Sequence, residues 1–270
     1  MKQDIALFLG KPSDKSVFNP IDYVEHMKEL NRLNHFKLPR YIILCFFKKL
    51  YKEIKKKYKL KKIIKYHEEY PIYIFKYKGI DIAFVYPLMG ASYAGSVLEE
   101  MTALGGKYFI FFGGVGTITP KIERGEIIVP TKAIRDEGTS FHYQKPSKYS
   151  YPSKLILTFI KKTLKQKKIP FHEGATWTID APYRETQRKV LKFRKEGALS
   201  VEMEASALFS IGRFRKVNVA GLFIAGDCVA GENWNPRRKV KDIPRIERDR
   251  KKILDYVLET FYLLDKSLRS

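Results

Sequence analysis

Two carboxylates separated by one methionine, Glu202-Met203-Glu204, and a third at Asp227 are the residues of this chain best suited to chemistry. The first three follow a short extended run and open a segment where Ala205, Leu208, Phe209 and Ile211 recur at helical spacing. Val217 to Ile224 is nearly all apolar and reads as a buried strand that ends at Gly226-Asp227. Acids at a strand-to-helix junction and at the carboxyl end of a strand stand where open α/β sheets hold their ligands. A single glutamate in a helix's first turn would merely suit the helix dipole. Two of them flanking a methionine, with a strand-end aspartate to follow, point to a site.

The elements that must position these groups alternate along the chain. The first forty residues read as an irregular extension with a helix over 22–33, and the remainder, 41–270, as one domain. Tyr41 to Phe46 reads as a strand. Phe47 to Lys65 is lysine-rich, and Phe47, Leu50, Ile54 and Tyr58 at helical spacing predict one buried stripe on a solvated helix. Ile72–Tyr77 and Ile80–Tyr86 form a hairpin around Lys78-Gly79. A helix over 92–104 precedes a strand from Tyr108 to Phe112, which runs into a glycine turn, "GGVG". Strands over 126–134 and 175–179 bracket a helix over 155–165. A long amphipathic helix carrying Ile246, Leu254, Val257, Leu258 and Phe261 closes the chain. Such alternation argues for a mixed, largely parallel sheet covered on both faces.

Composition narrows the function classes. The 270 residues are 44% apolar, enough for a sizeable core, and carry a net charge of +23. That excess invites polyanions, but it is spread widely and no nucleic-acid motif accompanies it, so a lysine-coated surface is the expectation. Cys45 and Cys228 lie far apart in apolar runs and read as buried thiols of a reducing compartment. The opening "MKQDIALFLG" is too briefly apolar for a signal peptide, and no run approaches transmembrane length. The expected location is the cytoplasm.

Four stretches in register resemble the nucleoside phosphorylase superfamily: "SVEMEASALF", "IRDEGTSFHY", "GGVGTITPKIERGEIIVP" and "TIDAPYRETQR". The resemblance implies a three-layer α/β/α fold with a central mixed, partly barrel-like sheet. It also implies a dimer-based homo-oligomer, up to a hexamer, and cleavage of a nucleoside's N-glycosidic bond without metal or cofactor, phosphate being a co-substrate. Glu204, with Glu202 beside it, would hold the ribose 2′-hydroxyl while Met203 packs on the sugar. Asp227 would protonate a departing purine, burial raising its pKa to keep the proton available. Base contacts would come from Thr186, Arg188 and Gly226, and from Tyr183 either as a lid over the base or, equally, as an interface aromatic. His142 reads as a structural residue or a contribution to a subunit interface, and Arg135 as an ion-pair partner of Asp136 or Glu137 or as an interface group.

Departures from the family concern base and phosphate. Uridine-cleaving members carry Arg-Thr where this chain has Gly226-Asp227, and Gln-x-Arg where it has Thr186 and Arg188, so a purine is favoured over uridine. Phe111 and Gly114 replace the arginine and hydroxyl of the glycine turn, and Glu68 stands at the position of a partner-subunit arginine. Lys48 or Lys49, or a nest of backbone amides at Gly113, Gly114 and Gly116, remain to take an anion. Phosphorolysis is the leading expectation. Hydrolysis by water, a nucleoside-binding protein without turnover, and a nucleic-acid-binding protein on a borrowed fold are the alternatives.

Overall fold

The computed structural model describes residues 10–30, 37–64, 71–237, 239 and 242–269. Its centre is β1 (Tyr41–Cys45), buried at every position, as its uninterrupted β-branched and apolar run demands. It pairs in parallel with β4 (Ile80–Val85) on one side and β5 (Tyr108–Thr117) on the other. Beyond β4 the sheet continues antiparallel through β3 (Ile72–Tyr77) to an edge strand, β2 (Leu60–Ile64).

On the other side the sheet closes. β5 pairs in parallel with β10 (Asn218–Cys228), which meets β6 (Ile127–Asp136) antiparallel. β6 then pairs with β8 (Phe171–Ile179), β8 with β9 (Ala198–Glu202), and β9 returns antiparallel to β5. These five strands form a small barrel, and β7 (Tyr149–Ser150) adds to the edge of β6.

Helices cover both faces, giving the three layers expected. Alternate residues of β1 show why: Tyr41, Ile43 and Cys45 face one cluster, and Ile42 and Leu44 the other. The first cluster is completed by α2 (Lys48–Lys57), α4 (Lys154–Gln166) and α7 (Ile243–Arg269). The second is completed by α1 (Pro20–Glu29), α3 (Ala91–Ala103) and α6 (Ala205–Phe214). Each fully buried Leu, Ile or Phe in these layers contributes about 1.5–3 kcal/mol before entropy is counted. α5 (Gln187–Lys195) seals one end of the barrel, where Val190 and Phe193 pack with Trp177.

The structure corrects several expectations. The lysine-rich segment is not one helix to Lys65: α2 stops at Lys57, Tyr58 turns extended, and β2 follows. Backbone pairing with the open edge of β3 outweighs the helical propensity of "LKKII", and the exposed lysines guard that edge. Tyr58 keeps its place in the core by stacking on Phe75 at 4.6 Å between ring centroids. Within the first forty residues α1 starts at Pro20 and ends at Glu29, and its Val24 and Met27 are buried; residues 31–33 of the expected helix lie outside the described residues. The run "GGVG" is no turn, because β5 continues through it to Thr117.

Part of the basic charge is tied down between helices. Along α2 and α7, Lys49 pairs with Glu247, Glu53 with Lys251 at 3.0 Å, and Lys57 with Asp255 at 2.6 Å. Such exposed pairs fix helix register more than they stabilise. Cys45 and Cys228 are both buried free thiols. Among the described residues no helix is long and apolar enough to cross a membrane.

Candidate functional site

The two glutamates of Glu-Met-Glu do different work. Glu202, the last residue of β9, accepts the backbone N–H groups of Glu204 at 2.7 Å and Ala205 at 2.6 Å through Oε2. Its Oε1 accepts the Thr178 hydroxyl at 2.6 Å, and Thr178 Oγ1 in turn accepts the Ser206 N–H at 2.9 Å. Three of the orphan donors that open α6 are therefore satisfied from β8 and β9. Glu202 is a capping residue, placed where negative charge complements the helix dipole.

Glu204 is itself the N-cap residue of α6, and its side chain turns away from that helix. Its Oε1 accepts the backbone N–H of Gly90 at 2.7 Å, at the start of α3. Gly90 has φ +111°, a conformation that side chains disfavour, and so presents its N–H from a sharp entry into the helix. The Glu204 carboxylate thus lies between two helix N-termini. Both glutamates are only 8% exposed. Burial raises both carboxyl pKa values, and the charge of Glu204 raises that of Glu202 further, against the N–H donors that oppose it. Met203 between them is half-buried.

Gly116 joins this group to Asp227. It pairs with Val201 of β9, and a Cβ placed on it would lie 3.0 Å from Val201 Cγ1 and 3.7 Å from both Asp227 carboxylate oxygens. Glycine is needed here for close approach. Asp227, near the end of β10, is half-buried, as is Gly226, because the strand end opens to solvent. Its Oδ2 accepts the indole N–H of Trp234 at 2.6 Å. Glu185 lies near enough that burial, with a smaller contribution from the Asp227 charge, pushes its carboxyl up to about 7.

Glu202, Met203, Glu204, Gly116, Gly226 and Asp227 therefore gather around the ends of β5, β9 and β10. Three other expected residues flank Glu185, on the segment that approaches Asp227. Tyr183 stands 99% exposed on a single 3-10 turn, and Arg188 is exposed on α5. Thr186 is the N-cap of α5, accepting the Lys189 N–H at 3.4 Å.

Gly113 and Gly114 lie in extended β5, paired with Phe223 and Ile224, and no glycine between 113 and 116 has a positive φ. The alternating backbone of an amide nest is thus absent there. Cβ atoms on them would face Phe46 at 3.1 Å and Phe47 at 3.5 Å. Phe111 is buried and packs on Phe209 and Phe223 at centroid distances of 5.6 and 5.7 Å. Phe111, at the position where the resemblance expects an arginine, thus belongs to an aromatic cluster. Lys49 is held by Glu247, and Glu68 lies outside the described residues.

His142 is exposed and lines a cavity of about 830 Å³, whose walls include neither Glu204 nor Asp227. That cavity lies between the segment from Gly10 to Tyr23 and Glu99, Glu100 and Arg215. Arg135 forms none of the expected ion pairs. It is buried and donates to Ser140 Oγ at 2.8 Å, Lys145 O at 2.9 Å and Gln144 O at 3.1 Å, bracing the loop after β6. From that loop Glu137 accepts the Ser206 hydroxyl at 2.7 Å, a further tie to the start of α6.

Sequence reasoning missed Trp234, Glu185, Thr178 and Gly90. Trp234 carried a signal: a tryptophan in a loop of Gly, Asn and Pro directly after a strand-end acid. The other three become visible only when β8, α3 and the 3-10 turn are folded against β9.

Known proteins resemble this chain in sequence and in fold. A guanosine phosphorylase from Halorubrum lacusprofundi is 26% identical over 170 residues, 63% of this chain and 70% of that protein. A 5'-methylthioadenosine/S-adenosylhomocysteine nucleosidase from Buchnera aphidicola is 28% identical over 191 residues, 65% of this chain and 81% of that protein. The crystal structure of a uridine phosphorylase from Vibrio fischeri superposes with a TM-score of 0.74 at 25% identity, covering 84% of this chain and 98% of that one. The family model described as the phosphorylase superfamily matches residues 40–259, which hold the whole sheet and every site residue named above, and the chain belongs to that superfamily.

Proposed function

We propose that this protein is an enzyme that cleaves the N-glycosidic bond of a purine nucleoside, with water as the acceptor. The observation that carries the reading is the division of labour between the glutamates: Glu202 caps α6, which leaves the buried Glu204 carboxylate pinned through one oxygen to Gly90 N–H. A carboxylate so held can accept the ribose 2′-hydroxyl and favour the positive charge that develops on the sugar as the bond to the base breaks. Asp227 gives its proton to purine N7, the C1′–N9 electron pair leaves with the base, and water adds to C1′. The proton released by water restores the acid, so base and ribose are the products.

Water is favoured over phosphate on the residues around Gly114. Phe111 stands where the family carries an arginine, and Phe47 packs beside Gly114; a phosphate that lacks that arginine loses its charge-assisted bonds. The small pocket beside Gly114 and Gly226 has a volume of about 30 Å³, room for roughly a water or two. The nucleosidase relative supports hydrolysis. Phosphorolysis is the second reading, favoured by the guanosine phosphorylase relative and by Arg124, Arg245 and Arg250 on the walls of that same pocket.

Incubation with inosine, guanosine, adenosine and uridine, with and without phosphate, tests both points. Free purine and ribose at a rate independent of phosphate is the expected result. Ribose 1-phosphate formed with saturation by phosphate would replace it with the second reading, and no base release from any nucleoside would leave a binding protein.

A further inference from the structure

We propose that Trp234 is the positioning residue for the acid Asp227 and forms the aromatic wall against which the leaving base stacks; this rests on the function proposed above. The loop after β10 is built to return this side chain to the strand it has just left. Cys228 and Asn235 exchange both backbone hydrogen bonds, at 2.8 and 2.9 Å, closing a short loop with Gly231, Glu232 and Asn233 at its tip. Arg237 anchors the far end by donating to Ile122 O, and Arg194 of α5 holds Ala230 O at 3.3 Å. Trp234 is thereby placed so that its indole N–H donates to Asp227 Oδ2 at 2.6 Å, while the ring remains 66% exposed.

This geometry has a chemical consequence. With Oδ2 occupied by the indole, Oδ1 is the oxygen left to carry a proton towards N7 of a purine. The exposed ring, joined edge-on to the acid, offers a face to a heterocycle held at that distance. Two effects follow from one residue, and they separate by substitution. Trp234→Phe keeps the ring and removes the N–H. Trp234→Ala removes both.

The test compares a purine nucleoside that the wild type cleaves with 7-methylguanosine. Its N7 is already methylated and cationic, so its base departs without receiving a proton. For Trp234→Phe the expected result is a kcat lowered about tenfold on the ordinary nucleoside, part of what a positioned acid supplies, with KM within about twofold. Cleavage of 7-methylguanosine by that variant should be unchanged. Trp234→Ala should raise KM for both substrates.

Fluorescence gives a readout independent of turnover. The chain has 2 tryptophans, and the other, Trp177, is fully buried with its N–H on Asp136. Acrylamide should therefore quench Trp234 selectively, and bound nucleoside should protect it. Equal effects of Trp234→Phe on both substrates, or none on either, with wild-type cleavage intact, would overturn the positioning role and leave the proposed function standing. Absence of purine release by the wild type would overturn that function and this inference with it.

Discussion

Glu202 accepts the backbone N–H of Glu204 at 2.7 Å, so one acid of the Glu-Met-Glu stretch sets the conformation in which the other is presented. The pair is arranged in series, with Glu202 folding the helix start and Glu204 turned from that helix to the Gly90 N–H. Their substitution should separate stability from activity.

Glu202→Ala removes the acceptor of two helix N–H groups and of the Thr178 hydroxyl. With those donors left buried, the expected loss is about 2–4 kcal/mol, read as a lower urea midpoint. Glu204→Gln keeps an acceptor for Gly90 N–H and should cost less than about 1 kcal/mol. Equal destabilisation by the two variants would contradict the assignment.

Glu204→Gln should instead lower kcat/KM on a ribonucleoside by about a hundredfold, the scale seen when one group that stabilises a charged transition state is lost. A 2′-deoxynucleoside lacks the hydroxyl assigned to Glu204 in the proposed function, so the variant should lose less on that substrate. Identical losses on both sugars would remove the 2′-hydroxyl contact.

Asp227→Asn retains an acceptor for the Trp234 indole but has no proton to give. Purine nucleosides should lose about a hundredfold in kcat while 7-methylguanosine loses little. A variant that cleaves guanosine at the wild-type rate would show that another group, such as Glu185 beside Asp227, supplies the proton.

The pH dependence of stability has a worked sign at Glu100. Burial raises its carboxyl from 4.5 to about 7 in the folded chain. The folded state then holds a proton that the unfolded state has lost, so this stability is fully present below 4.5 and disappears as pH rises through 7. Glu100→Gln should make the protein relatively more stable at pH 8 than at pH 5, by at most about 3 kcal/mol. Urea unfolding at the two pH values measures it, and a wild-type difference unchanged by the substitution would refute it.

Local chemistry made much of the molecule legible in sequence. The apolar run of β10 with Asp227 at its end gave a strand terminus, and the alternation of elements gave a covered mixed sheet. Motif order added the family, because Glu-Met-Glu and the segments around it are contiguous in the chain. Tertiary structure decided what contiguity cannot carry. Whether Glu202 or Glu204 caps α6 depends on Thr178, which comes from another strand. Whether "GGVG" turns or continues depends on β10 and β9 lying alongside to take its backbone groups. The segment after Tyr58 became a strand because β3 offered an open edge, a long-range pairing that outweighs helix propensity of a few tenths of a kcal/mol per residue. Trp234 reached Asp227 because Cys228 and Asn235 pair, and backbone groups that pair across a loop leave no trace in residue type.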